Sequence, residues 1–128
     1  MAKRTDPAVR WLPSPEPLTE LFRSLVDGLP GATRRAMFGY PSGSVNGNMF
    51  ACLMEDRMAL RLSPADREAM LSMDGAAPFE PMPGRPWKEY VVVPESLIAA
   101  PADLQPWVEK ACEYTRALPP KSSKARAG

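Results

Sequence analysis

Sixteen of the 128 residues are proline, and their positions partition the chain. Proline lacks a backbone N–H and has a fixed φ, so it fits helix starts, turns and sheet edges and little else. Most of these prolines therefore mark where an element begins or ends. Ser14 reads as a helix cap, with Pro15 at the first helical position and Pro17 still in the first turn. Leu18, Leu21, Phe22, Leu25, Val26 and Leu29 then recur as one apolar helical stripe, which Gly28 and Pro30 end.

The middle of the chain has the period of strands. Residues 34–40 predict a short strand closed by Pro41, followed by a polar, glycine-rich connection ending in the hairpin signal Asn46-Gly47. Strands at about 48–54 and 57–62 follow, joined by a tight turn at Glu55-Asp56. If residue 54 lies opposite 57, one face collects Met49, Ala51, Leu53, Met58, Leu60 and Leu62. A slip of one residue would mix the faces, so this all-apolar set supports the register. The opposite face then holds Phe50, Cys52, Met54, Arg57, Ala59 and Arg61, and is only half polar.

Ser63-Pro64 opens a second helix running to about Met73, with Gly75 as its stop. Residues 76–86 hold four prolines, which makes any strand near Phe79 short and places it at an edge. Residues 87–93 are a strand by composition, and Pro94 to Ala99 a helical turn. The last helix is expected to keep Pro106 in its first turn with Asp103 as cap, burying Leu104, Trp107, Val108, Ala111, Cys112, Thr115 and Leu118. Short hairpinned strands with helices collected on one face predict a two-layer α+β domain over residues 14–118. An N-terminal arm (1–13) and a basic tail (119–128) are expected to be loose.

Several chemistries are excluded by residue type. There is no histidine, so Ser-His-Asp and Cys-His catalysis and imidazole metal sites are ruled out. Cys52 and Cys112 cannot form a four-thiolate zinc site or a CxxC motif. No phosphate-cradling or nucleophile-elbow glycine motif occurs. Apolar runs fall short of the roughly 18 residues that span a bilayer, and no signal peptide is evident. The expectation is a cytoplasmic, non-enzymatic chain with two free thiols and no metal, cofactor or membrane partner. The net charge of +1 hides a segregation: residues 1–10 carry +2 and 119–128 carry +3, which leaves −4 for the body. Such a body is a poor partner for a polyphosphate.

Several strings resemble the N-terminal domain of the TfoX/Sxy family. They are Arg35-Ala36-Met37-Phe38-Gly39, the stretch Asn46 to Ala51, Leu60-Arg61-Leu62, the run Gly75 to Arg85 containing PFEPMPGR, and Glu89 to Pro94. Leu104, Trp107, Val108 and Ala111 resemble its closing helix, and the likeness covers about residues 16–120. Trp87 stands where the family more often has methionine, and Gly43-Ser44 where it has a more apolar pair. The resemblance implies a small α+β domain with a curved antiparallel sheet and helices on one side. Its namesake, a bacterial regulator of competence for DNA uptake, carries a second domain; this chain reads as a stand-alone domain. The family implies no catalytic residues.

Three functional readings follow. The first is a regulatory interaction domain that binds a protein partner, or a second copy as a dimer, through the half-apolar sheet face of Phe50, Cys52, Met54 and Arg61. The competing expectation for that face is an N-terminal arm, with Trp11 and Leu12, folded over it. The second is a nucleic-acid-associated regulator that uses the basic arms. The third is an anion binder or enzyme using Arg34 and Arg35, or Arg85 and Lys88 of the proline-rich loop with Arg61 and Tyr90, because guanidinium offers a bidentate fork.

Overall fold

The structure is a computed structural model that describes residues 12–120. Its elements in chain order are α1 (Glu16–Asp27), β1 (Ala32–Met37), β2 (Tyr40–Val45), β3 (Asn48–Met54), β4 (Arg57–Arg61), α2 (Pro64–Leu71), β5 (Ala77–Pro78), β6 (Tyr90–Val92), α3 (Glu95–Ile98) and α4 (Pro101–Arg116). The strands form one six-stranded sheet in the order β1-β2-β3-β4-β6-β5, antiparallel at each step. Two-residue turns at Phe38-Gly39, Asn46-Gly47 and Glu55-Asp56 make β1 to β4 a continuous meander. The first residue of each turn is left-handed, with φ of 54°, 55° and 56°. The α+β architecture is the one expected.

All four helices feed the core on one face of the sheet. Leu18, Phe22 and Val26 of α1, Met70 of α2, Leu97 of α3 and Leu104, Val108 and Cys112 of α4 pack there against Leu53, Met58, Leu60 and Val91. The α1 and α4 stripes are those read from the sequence. The helix starts differ. Ser14 makes no cap, and α1 begins after Pro15. A capping Ser14 would direct its hydroxyl at the amides of the second and third helical residues, and the third would be Pro17, which has none. Helix α4 begins at Pro101, so Pro106 lies in its second turn. Its missing N–H deprives only the carbonyl of Ala102, an exposed residue, of a partner. Ser63 does cap α2, accepting the Asp66 amide at 3.2 Å.

The glycine-rich connection after Pro41 is a strand. β2 pairs with β1 along its whole length and with β3 from Ser42 onward. Pro41 pairs with Ala36 but lies outside the β3 ladder, so no ladder bond needs its absent N–H.

The β3–β4 register is the expected one, with Met54 opposite Arg57 and Ala51 opposite Leu60. The β2–β3 register shifts at Gly43/Ser44: Gly43 faces Ala51, Ser44 faces Met49, and Phe50 is the extra residue of a bulge. The bulge breaks the two-residue alternation. Phe50 joins the helix-side core and Met49 turns to the other face, the reverse of the simple pattern.

Candidate functional site

The expected docking face is covered. Phe50 lies among the helices, while Cys52, Met54 and Ala59 are buried on the second face with Tyr40, Phe79, Tyr90 and Val92. These residues are therefore not an open interface. Among the described residues, the segment between β5 and β6 contributes to the cover, its proline-fixed path returning Phe79 and Trp87 to this cluster; Trp87 N–H donates to Phe79 C=O at 2.9 Å. Phe79 and Trp87 meet edge to face at 5.4 Å, and Trp87 and Tyr90 at 5.2 Å. The backbone of Leu12 reaches the same face, donating to Glu55 Oε2 at 3.1 Å and accepting the Tyr40 hydroxyl. Trp11 lies outside the described residues, as do residues 1–10 and 121–128 of the basic arms.

Arg61, the fourth residue proposed for that face, serves a polar clasp at its edge. Its Nε donates to Glu89 Oε1 at 2.6 Å, and its guanidinium stacks 5.8 Å over the Tyr90 ring. The Tyr114 hydroxyl donates to Glu89 Oε2 at 2.9 Å, and Arg67 Nε to the Tyr90 carbonyl at 3.0 Å. Burial pushes the Glu89 carboxyl up, but the hydrogen bonds from Arg61 and Tyr114 and the charges of Arg61 and Lys88 outweigh it and hold the group below its ordinary value. The Tyr90 hydroxyl donates to the Met49 carbonyl at 2.8 Å, and burial raises its pKa. The clasp ties β4, β6 and α4 together, with both Glu89 carboxylate oxygens accepting hydrogen bonds.

Neither cysteine is activated as a nucleophile. Burial pushes the Cys52 thiol up to about 12, and burial also raises Cys112. Among the described residues no group of three or more His, Cys, Asp or Glu could hold a metal ion. No helix among them is long and apolar enough to cross a membrane.

The four residues singled out for anions divide into two places. Arg85 and Lys88 are exposed on the β5–β6 segment, with Arg85 in the turn its amide closes onto Met82 at 2.9 Å. Arg34 and Arg35 lie on β1, at the other edge of the sheet. Strands about 4.8 Å apart, with β2, β3 and β4 intervening, set β1 roughly 19 Å from β6. The β1 pair gains a partner that sequence reading missed. Arg23, on the polar side of α1, joins Arg34 and Arg35 in lining a cleft of about 520 Å³ between α1 and the β1–β2 hairpin. Glu16 is the one acid in that lining among the described residues, and Ser14 and Thr19 complete the helix wall. The Ser14 hydroxyl is buried without a hydrogen-bond partner among the described residues. Arg34 Nε pairs with Asp27 Oδ1 at 3.0 Å, which adds an acid beside the cleft. The sequence signal for Arg23 was its spacing from Glu16 and Thr19 on one helix face; the docking of α1 on β1 was not visible there.

The fold and this site define a small two-layer α+β domain with an arginine-lined cleft. A model of the TfoX N-terminal domain family matches residues 24–114, and the chain belongs to that family. The family is of a regulatory, non-catalytic type. No curated protein matches the chain.

Proposed function

We propose that this chain is a non-catalytic interaction domain of regulatory type, and that it engages an acidic protein partner at the arginine cleft between α1 and β1. The observation that carries the reading is that Arg23, Arg34 and Arg35 line one cleft whose acids are Glu16 in the lining and Asp27 paired with Arg34, in a body whose overall charge is −4. The three guanidinium groups line the cleft with a local excess of one positive charge over Glu16 and Asp27, against the sign of the body. Guanidinium groups favour carboxylates with bidentate geometry. The sealing of the second sheet face by Phe79 and Trp87 moves the contact surface away from Phe50, Cys52 and Met54.

Retention on immobilised poly-L-glutamate at about 0.1 M salt tests the reading. The full chain is expected to be retained and the R23E/R34E/R35E variant to flow through. Failure of the full chain to bind, or equal binding by the variant, would refute it. Duplex DNA in a parallel arm addresses the nucleic-acid reading: retention that depends on residues 1–10 and 119–128 instead of the three arginines would favour DNA.

A further inference from the structure

The cleft opens onto β1, and β1 is a sheet edge. It has six residues, among the described residues it pairs with β2 alone, and its four central residues, Thr33 to Ala36, are all exposed. The Ala32 amide turns away from β2 to the carbonyl of Leu29, at 3.2 Å. Along an antiparallel strand the direction of N–H and C=O alternates with period two, so Arg34 and Ala36 also turn theirs outward. The two-residue turn at Phe38-Gly39 gives the same parity, since it makes Met37 and Tyr40 the closing hydrogen-bonded pair. Two amides and two carbonyls in extended geometry thus face away from β2, with no other strand among the described residues paired to them. Natural edges of this length are usually blunted by a proline, a bulge or inward charge, and between Ala32 and Met37 only the two arginines stand guard.

We infer that β1 takes up an extended acidic segment of a partner protein as a seventh, antiparallel strand; the inference rests on the acidic-partner reading above and specifies its geometry. Arg34 and Arg35 project to opposite faces of β1, as their pairing with Gly43 and Ser42 requires. Adjacent carboxylates on an added strand would likewise divide between the two faces and meet one arginine each. Backbone bonds to Arg34 and Ala36 supply sequence-independent affinity, and the arginines select for acids. The same charges disfavour a second copy of this chain. A two-fold pairing centred on Arg34 or Arg35 sets that arginine against its own copy, and like charges directly opposite destabilise a strand pair.

The probe is a fluorescein-labelled Thr-Val-Glu-Glu-Val-Thr peptide, followed by fluorescence anisotropy and by residue-resolved amide exchange in the full chain. Binding should slow exchange at the Arg34 and Ala36 amides and leave Arg35 and Met37, already bonded to β2, unchanged. Ala36→Pro removes one outward N–H without touching the β2 ladder or the charge, and should weaken binding about tenfold. Backbone N-methylation of the peptide's two glutamates should do the same with the wild-type protein, so the test does not depend on how the proline variant folds. If R34E/R35E abolishes binding while A36P and the N-methylated peptide bind normally, strand addition is overturned and the acidic-partner reading stands. If the unmodified peptide does not bind at all, the inference fails; poly-L-glutamate retention by the same sample then decides the parent reading separately. Equal binding by a Lys-Lys version of the peptide would overturn both.

Discussion

The ring of Phe50 occupies the space that a side chain at position 43 would need. A Cβ built on Gly43 would lie 3.0 Å from Phe50 Cζ and 3.0 Å from Val26 Cγ2. Both neighbours are buried in the helix-side core, so neither has free room to retreat. The β-bulge that sends Phe50 inward and the glycine across from it are two parts of one packing solution.

Gly43→Ala is therefore expected to destabilise the fold by about 1–3 kcal/mol, as overpacking does. Urea unfolding measures it. Adding Phe50→Leu should recover part of the loss, giving a favourable coupling in the double-mutant cycle. Additive effects would contradict direct contact as the cause.

The Glu89 clasp makes stability depend on pH in acid. The folded-state pKa of Glu89 lies below its ordinary value of 4.5, so the carboxylate form is the one that folding favours. Its contribution is present above pH 4.5 and is lost as pH falls through the depressed value. In a series of urea midpoints from neutral pH downward, Glu89→Gln should flatten the decline below pH 4.5 relative to the parent protein. An unchanged slope would show that Arg61 and Tyr114 do not hold the charge.

Both thiols should resist modification while the protein is folded. Cys52 is fully buried, with its thiol pushed up to about 12, and thiolate is the reactive form. Disulfide-exchange reagent at mildly alkaline pH should label neither cysteine in native protein and both in denaturant. Rapid native labelling of Cys52 would mean that the Phe79–Trp87 cover opens readily.

Pro106 supplies a test of where α4 begins. With the helix starting at Pro101, Pro106→Ala restores a hydrogen bond to the Ala102 carbonyl and should stabilise the protein by about 1–3 kcal/mol. Were the helix to start after Asp103, position 106 would fall in the first turn and the substitution would gain no such bond. Thermal denaturation distinguishes the two.

Much of the fold was readable because its signals are local. The Asn46-Gly47 turn, the Ser63 cap and the stripes of α1 and α4 each depend on residues within a few positions of one another. Strand β2 escaped because Pro41, Ser42, Gly43 and Ser44 have poor strand preference taken alone. They are strand because β1 and β3 flank them and because the Phe50 ring requires a residue without a side chain at position 43. The PFEPMPGR string pointed to the family, and the family match bore that out. The same string does not reveal that Phe79 and Trp87 fold back over the sheet.

By itself, then, the chain's order of residues determined the helical stripes, the hairpin turns, the β3–β4 register and the absence of histidine chemistry, since each follows from neighbours along the backbone or from composition. Only tertiary structure decided that Phe50 turns inward, that Cys52 and Met54 are buried in a cluster with Phe79, Trp87 and Tyr90, and that Arg23, Arg34 and Arg35 line one cleft. The physical reason is the bulge and the docking of α1. A bulge reverses the facing of a side chain without altering its neighbours in sequence, and a helix laid along an edge strand brings together charges that nothing in the linear pattern connects.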